Sequence, residues 1–150
     1  LGDTEMLKIF RLIRIGIAPL IGPSHQRLSF LHVEDLARSI ICTIDANEEM
    51  NRCCADLHDG QLGGYSWSDI IKAVRGNSIA LRLPIPRPVA NILAALNRKM
   101  AERLRYSPML TEGKVRELSQ QEWICDNSRI TEKTGWTPRI DLIEGVGQLV

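Results

Sequence analysis

Apolar positions recur at helical spacing along much of the chain. Between Glu5 and Ile17, the residues Met6, Ile9, Phe10, Leu12, Ile13 and Ile17 fall on one side of a helix, with Asp3 and Thr4 as its caps. Pro19, Gly22 and Pro23 then impose a loop. Ser29-Phe30-Leu31-His32-Val33 is a short apolar run suited to a strand. Glu34-Asp35 opens a second helix, in which Leu36, Ile40, Ile41 and Ile44 keep the helical period. Cys54 to His58 alternates weakly and reads as a strand, and Asp59 to Gly64 is a turn by composition. Ser66, with Asp69 three residues on, forms a variant capping box for a helix that runs to about Val74 and stops at Gly76.

Ile79 to Ile85 is a third apolar run, closed by Pro84 and Pro86. Pro88 suits the first turn of a long helix whose Val89, Ile92, Leu93, Leu96, Met100 and Leu104 form one apolar face. Thr111 to Leu118 is a short helix, and Trp123 to Asp126 a last short strand. Asn127 or Ser128 caps the next helix, which Gly135 ends. Asp141 starts a terminal helix that turns Leu142, Val146 and Leu149 toward a core. Short strands alternating with helices predict an α/β architecture, without repeats or low-complexity segments.

Length and composition fit one globular domain: 150 residues, 44% hydrophobic and 25% charged. A formal net charge of +1 is too near neutral for a nucleic-acid footprint, so no nucleic acid is expected as a partner. No apolar run reaches the roughly 18 residues of a membrane span, and no membrane association is expected. No signal peptide is legible. The chain opens on Leu1 rather than Met, as a piece cut from a longer protein or a processed chain would. Cys42, Cys53, Cys54 and Cys125 show neither CxxC nor zinc spacing, which fits reduced thiols in a cytoplasmic protein.

The usual catalytic patterns are missing. Gly60, Gly63 and Gly64 follow a candidate strand but lack the GxGxxG spacing, and no P-loop, HExxH or GxSxG occurs. His25, His32 and His58 lack metal-ligand spacing, and no metal site is expected. His32 is either a pocket base or donor, or a buried histidine tied to a partner. Asp35 supports the first turn of its helix. The helix with Arg98, Lys99, Arg103 and Arg105 has a charged and an apolar side, suited to a solvated face over a core, a membrane surface or a partner helix. The three tryptophans are packing residues, except that the ring of Trp123 could reach a pocket rim.

Four segments, in order, resemble one family. Arg27-Leu28-Ser29-Phe30-Leu31-His32-Val33-Glu34-Asp35-Leu36-Ala37 resembles a segment of the extended short-chain dehydrogenases of the NAD(P)-dependent epimerase/dehydratase type. Leu57-His58-Asp59-Gly60 with Tyr65-Ser66-Trp67 is similar to the family's strand, turn and helix start. Leu83-Pro84-Ile85-Pro86 is similar to its "l-P-v-P" segment. Trp123 to Arg129, then Gly135-Trp136-Thr137-Pro138, resembles its ending, and Gly2-Asp3 resembles the tail of a preceding turn.

The resemblance implies the C-terminal, substrate-binding part of a Rossmann-like enzyme, spanning residues 1–150 as a single domain. The nucleotide-binding half would lie outside this chain, and NAD or NADP would bind there rather than here. The family's Tyr-x-x-x-Lys pair is also missing, since Asp69 stands four after Tyr65 and Leu110 four after Tyr106. No catalytic residue is therefore expected in the chain.

By the same resemblance, substrate contacts fall on Arg27, Ser29, Arg116 and Trp123, with Met6 and Phe10 as an apolar wall. The family's diphosphate-binding Arg is replaced by Leu28, and in a strand Arg27 would face the opposite way. The substrate is thus a nucleotide-sugar or, equally well matched to Leu28, an apolar alcohol or ketone. Two other readings stand beside this one: a stand-alone binding module, or an accessory protein of a membrane or complex. A free-standing chain would expose apolar faces suited to a missing domain, so self-association or packing on an N-terminal domain is expected.

Overall fold

The computed structural model describes residues 4–46, 50, 53–106 and 111–149. The expected roles of Gly2 and Asp3 lie outside these residues. Among the described residues, helices α1 (Thr4–Arg14), α2 (Val33–Asp45), α3 (Trp67–Arg75), α4 (Arg87–Leu104), α5 (Glu112–Leu118), α6 (Ser128–Thr134) and α7 (Leu142–Leu149) alternate with short strands. The strands are β1 (Ile17–Ile21), β2 (Arg27–Leu28), β3 (Leu81–Ile85) and β4 (Glu122–Trp123). They form two separate two-stranded parallel sheets, β1 with β3 and β2 with β4. The architecture is mixed α/β.

Several boundaries differ from the sequence expectation. The first helix ends at Arg14, because Gly16 takes a left-handed φ of 100° and turns the chain. The Arg75 guanidinium donates to the carbonyls of Ile13 and Arg14, satisfying the acceptors at that helix end. Ile17, expected in the helix, begins β1 instead, and Pro19, expected in a loop, lies within that strand. The register explains the tolerance. The Leu81 N–H donates to the Gly16 carbonyl, so alternation makes Leu81, Leu83 and Ile85 the donors of β3 and turns Pro19 and Pro84 away from the ladder.

The run from Ser29 to Val33 is not a strand, since pairing stops at Leu28 and Val33 already belongs to α2. Single backbone bonds still hold it: Ser29 N–H donates to the Trp123 carbonyl at 2.7 Å, and Asp59 N–H to the Phe30 carbonyl at 2.8 Å. The expected strand from Cys54 to His58 is likewise absent. The carboxamide of Asn127 replaces a neighbouring strand there, accepting from His58 N–H at 2.7 Å and donating to its carbonyl at 2.8 Å. Asn127 is therefore not a side-chain cap for α6. Asp126 takes that role, with Oδ1 accepting from Ser128 N–H at 2.9 Å.

Local signals were followed closely elsewhere. Ser66 and Asp69 form a reciprocal capping box on α3, which ends at Gly76. Pro88 lies in the first turn of α4, and Thr111 caps α5. The main core joins Phe10 and Ile13 of α1, Ala18 of β1, Trp67, Ile70 and Ile71 of α3, and Leu142 and Val146 of α7. Leu149, expected to face the core, is 48% exposed at the end of α7. A second cluster centres on Trp136, Ile130 and Met50, and a third on Ala90, Ala94 and Val115.

Helix α2 is inverted. Its buried residues are Asp35 and Ser39, while Leu36, Ile40, Ile41 and Ile44 are exposed. Asp35 can be buried because its charge is fully bonded. Oδ2 accepts from the backbone N–H groups of Arg139 and Ile140, each at 2.9 Å, and Oδ1 pairs with Arg38 at 2.8 Å. It thus clasps the segment before α7 rather than serving its own helix alone. Among the described residues, no helix is long and apolar enough to cross a membrane.

Candidate functional site

A half-open cleft lies where α1, the start of α2 and α7 meet. Its apolar lining includes Phe10, Phe30, Leu142 and Val146, and its polar groups come from His32, Asp59 and Asp141. The side chains follow from local structure. Phe10 is carried on the buried side of α1, and Val146 on that of α7. Gly145 lets α7 approach closely: a Cβ there would stand 3.3 Å from the His32 ring.

The aromatic rings form a row. Phe10 and Phe30 have centroids 6.1 Å apart, and Phe30 and Tyr65 are 6.0 Å apart, both tilted. Tyr65 stands behind the lining and donates its hydroxyl to Asp59 Oδ2 at 2.7 Å. Asp59 Oδ1 accepts from the Gln61 N–H at 3.2 Å, so the carboxylate is held from both sides. Burial, reinforced by the Asp59 carboxylate, pushes the Tyr65 phenol well above the usual tyrosine range, so it stays a donor.

His32 caps α2. Its Nδ1 accepts from the Glu34 N–H at 3.3 Å, which places the ring proton on Nε2 when the imidazole is neutral. The residue is half-buried and borders the cleft, so it combines features of both sequence readings. The cleft measures about 80 Å³. A complete small-molecule site typically needs ~300–1,000 Å³. The cleft is thus smaller than a usual small-molecule site.

The residues singled out by sequence fall into three places. Phe10 lines the cleft, and Met6 packs against the same core cluster. Arg27, Ser29 and Trp123 meet at the second sheet. Arg27 pairs with Glu122 in register and reaches the Gly64 carbonyl at 3.3 Å, while Ser29 Oγ accepts from the Cys125 N–H at 3.2 Å. Arg27 is exposed and Leu28 packs against the main core, the opposite facing expected of strand neighbours. Trp123 is 46% exposed, whereas Trp67 and Trp136 are buried. Arg116 lies apart on α5, in a concavity of about 270 Å³ with Arg87, Asn91 and Glu112.

Sequence reasoning passed over Phe30, Asp59, Tyr65 and Asp141. A signal existed in the turn between Asp59 and Tyr65. Gly64 adopts φ 64°, and a Cβ there would approach the Leu28 carbonyl oxygen to 2.9 Å. The backbone N–H groups of Leu28 and Tyr65 donate to each other's carbonyls at 3.0 and 2.8 Å, folding the Tyr65 ring back beside Phe30 and its hydroxyl onto Asp59.

The glycine turn does not suit a dinucleotide phosphate. The α3 N-terminus that follows it is filled by Asp69, whose carboxylate accepts from the Ser66 hydroxyl and N–H at 2.6 and 2.8 Å. Those bonds hold Asp69 below the usual carboxylate range, so a negative charge occupies the place a phosphate would take. Among the described residues, no group of three or more His, Cys, Asp or Glu could hold a metal.

Comparison with known proteins corrects the family expectation. No family model matches the chain, and no solved structure matches it. A curated protein, Ceramide reductase of Caulobacter vibrioides (strain NA1000 / CB15N), is 27% identical over 150 residues, covering 96% of this chain. The chain spans 44% of that protein's length. The resemblance to epimerases and dehydratases is thus not supported: the short segments that suggested it are matched by no family model, and the similar protein carries a reductase name.

Proposed function

We propose that this chain is the substrate-side, cleft-closing part of a reductase for an apolar, ceramide-like carbonyl lipid. The observation that carries the reading is the aromatic row from Phe10 through Phe30, which ends at the bonded Tyr65–Asp59 pair. Such a wall accepts a hydrocarbon chain, and a buried carboxylate at its end accepts hydrogen bonds from hydroxyl or amide N–H groups of a head group. The similar protein's reductase name points the same way.

The hydride donor, NAD or NADP, would be held by residues outside this chain, since the α3 N-terminus is already filled by Asp69. Within this chain the residues bind and orient. Asp59 fixes the head group, Tyr65 holds Asp59, and the rings exclude water from the tail. The exposed apolar face of α2 is the surface on which the nucleotide-binding part would pack.

The test is competition for a fluorescent long-chain acyl probe. A ceramide-like ketone should displace the probe, and a nucleotide-sugar should not. Phe30→Ser should weaken probe binding several-fold. Displacement by the nucleotide-sugar alone would overturn the reading.

A further inference from the structure

From the apolar strip of α4 and its basic edge, we infer that the helix lies on an anionic membrane surface. Its buried residues are all small: Ala90, Ala94 and Ala101. Its large side chains point outward, with Val89, Ile92, Leu93, Leu96, Met100 and Leu104 each 45–68% exposed. At 3.6 residues per turn those six share one strip beside the alanine face. Lys99 and Arg103 edge the strip on its far side, and Arg105 follows the last turn.

Charge decides the occupant. Between residues 87 and 105 there are five basic residues and one acid, Glu102; Arg98 pairs with Glu112 of α5 at 3.7 Å, which leaves Lys99 and Arg103 beside the strip. The exposed strip of α2 has Glu34 and Asp45 at its ends, and its one cation, Arg38, is engaged with Asp35 and the Thr137 carbonyl. An apolar strip with a cationic edge matches the acyl boundary and anionic head groups of a lipid leaflet. The aliphatics enter the boundary, and Lys99, Arg103 and Arg105 reach head-group phosphates. The α4 helix is too polar to cross the bilayer, so it lies in the plane of the surface. A lipid surface departs from the sequence expectation of no membrane association. The reason is that helical period reveals a strip but not that alanines, rather than the large aliphatics, fill the inner side.

The test is sedimentation of the full chain with vesicles of phosphatidylcholine and phosphatidylglycerol (7:3) and of phosphatidylcholine alone. Binding should require phosphatidylglycerol and fall as salt rises. Lys99→Gln with Arg103→Gln should weaken it by about tenfold or more. The charge-matched control Lys8→Gln with Arg11→Gln, on exposed positions of α1, should leave it unchanged. Ile92→Ser with Leu96→Ser should abolish it while circular dichroism stays that of the parent chain. Equal binding to both vesicle types, an equal loss in the control, or dissociation of a self-associated chain with no vesicle binding would overturn the inference. Binding of the acyl probe in the cleft is read separately, so failure here leaves the reading of the cleft standing.

Discussion

The Tyr65 hydroxyl donates to Asp59 Oδ2 at 2.7 Å, six residues away across a glycine-rich turn. The bond aims a nearly buried carboxylate at the polar end of an aromatic row. Replacing Tyr65 with Phe keeps the ring and removes the bond. The protein should stay folded, and affinity for a hydroxyl-bearing lipid should fall by up to about tenfold, the worth of one hydrogen bond. Titration calorimetry with hydroxylated and deoxy lipids would show it, because only the hydroxylated ligand should be affected.

The same residue sets an alkaline limit. The Tyr65 phenol is raised in the folded protein, chiefly by burial and then by Asp59. The protonated form is therefore favoured by folding. Its contribution is complete below the ordinary tyrosine pKa of roughly 10 and is lost as pH climbs above that value. Urea midpoints between pH 8 and pH 11 should decline in the parent chain, and less steeply in Tyr65→Phe.

Asp35→Ala should cost about 3–5 kcal/mol, the scale for breaking a buried pair. It leaves Arg38 without its carboxylate and the N–H groups of Arg139 and Ile140 without an acceptor. Since those N–H groups immediately precede α7, which lines the cleft, loss of the clasp should also weaken ligand binding. Urea denaturation checks the stability, and the acyl-probe assay checks the binding.

How far the sequence was legible depended on whether the deciding interaction was local. The Ser66–Asp69 box, the Gly76 stop and Pro88 in the first turn of α4 involve neighbours in the chain and could be read directly. The run from Cys54 to His58 looked like a strand, yet its backbone is bonded by the side chain of Asn127, 69 residues beyond His58. No alternation pattern encodes that partner. Ile17 kept the helical period, but a single left-handed glycine at position 16 ended the helix before it. The buried side of α1, with Phe10 in the core and Met6 packed against it, was legible because apolar spacing marks it. Asp59 and Tyr65 were not, because their pairing depends on how Gly64 folds the turn against Leu28.

The capping box offers an acid-side test. Asp69 is held below its ordinary pKa, first by the Ser66 hydroxyl and then by its N–H. That contribution is present above the ordinary carboxylate value, near roughly pH 4, and is lost as pH falls through the lowered one. Ser66→Ala should cost about 1 kcal/mol at neutral pH. Thermal melts from pH 2 to pH 6 should show a smaller acid-dependent loss in the variant than in the parent.

Gly64→Ala should be among the most damaging of the small substitutions. The new Cβ meets the Leu28 carbonyl at 2.9 Å, and φ 64° is strained for alanine. The turn should open, separating Tyr65 from Asp59. A proton spectrum should show shifts at Tyr65 and Phe30, accompanied by a lower melting temperature.

The proposed function requires a cleft that selects an apolar lipid by its tail and by a donor on its head group. The most direct measurement is reduction of a ceramide-like ketone by the protein carrying this chain, followed as oxidation of NADH or NADPH, with a nucleotide-sugar ketone as competitor. Turnover of the lipid should be unaffected by the nucleotide-sugar and should fall markedly in Asp59→Asn and in Phe30→Ser. Turnover of the nucleotide-sugar in place of the lipid, or lipid turnover indifferent to both substitutions, would rule out a lipid-selective cleft.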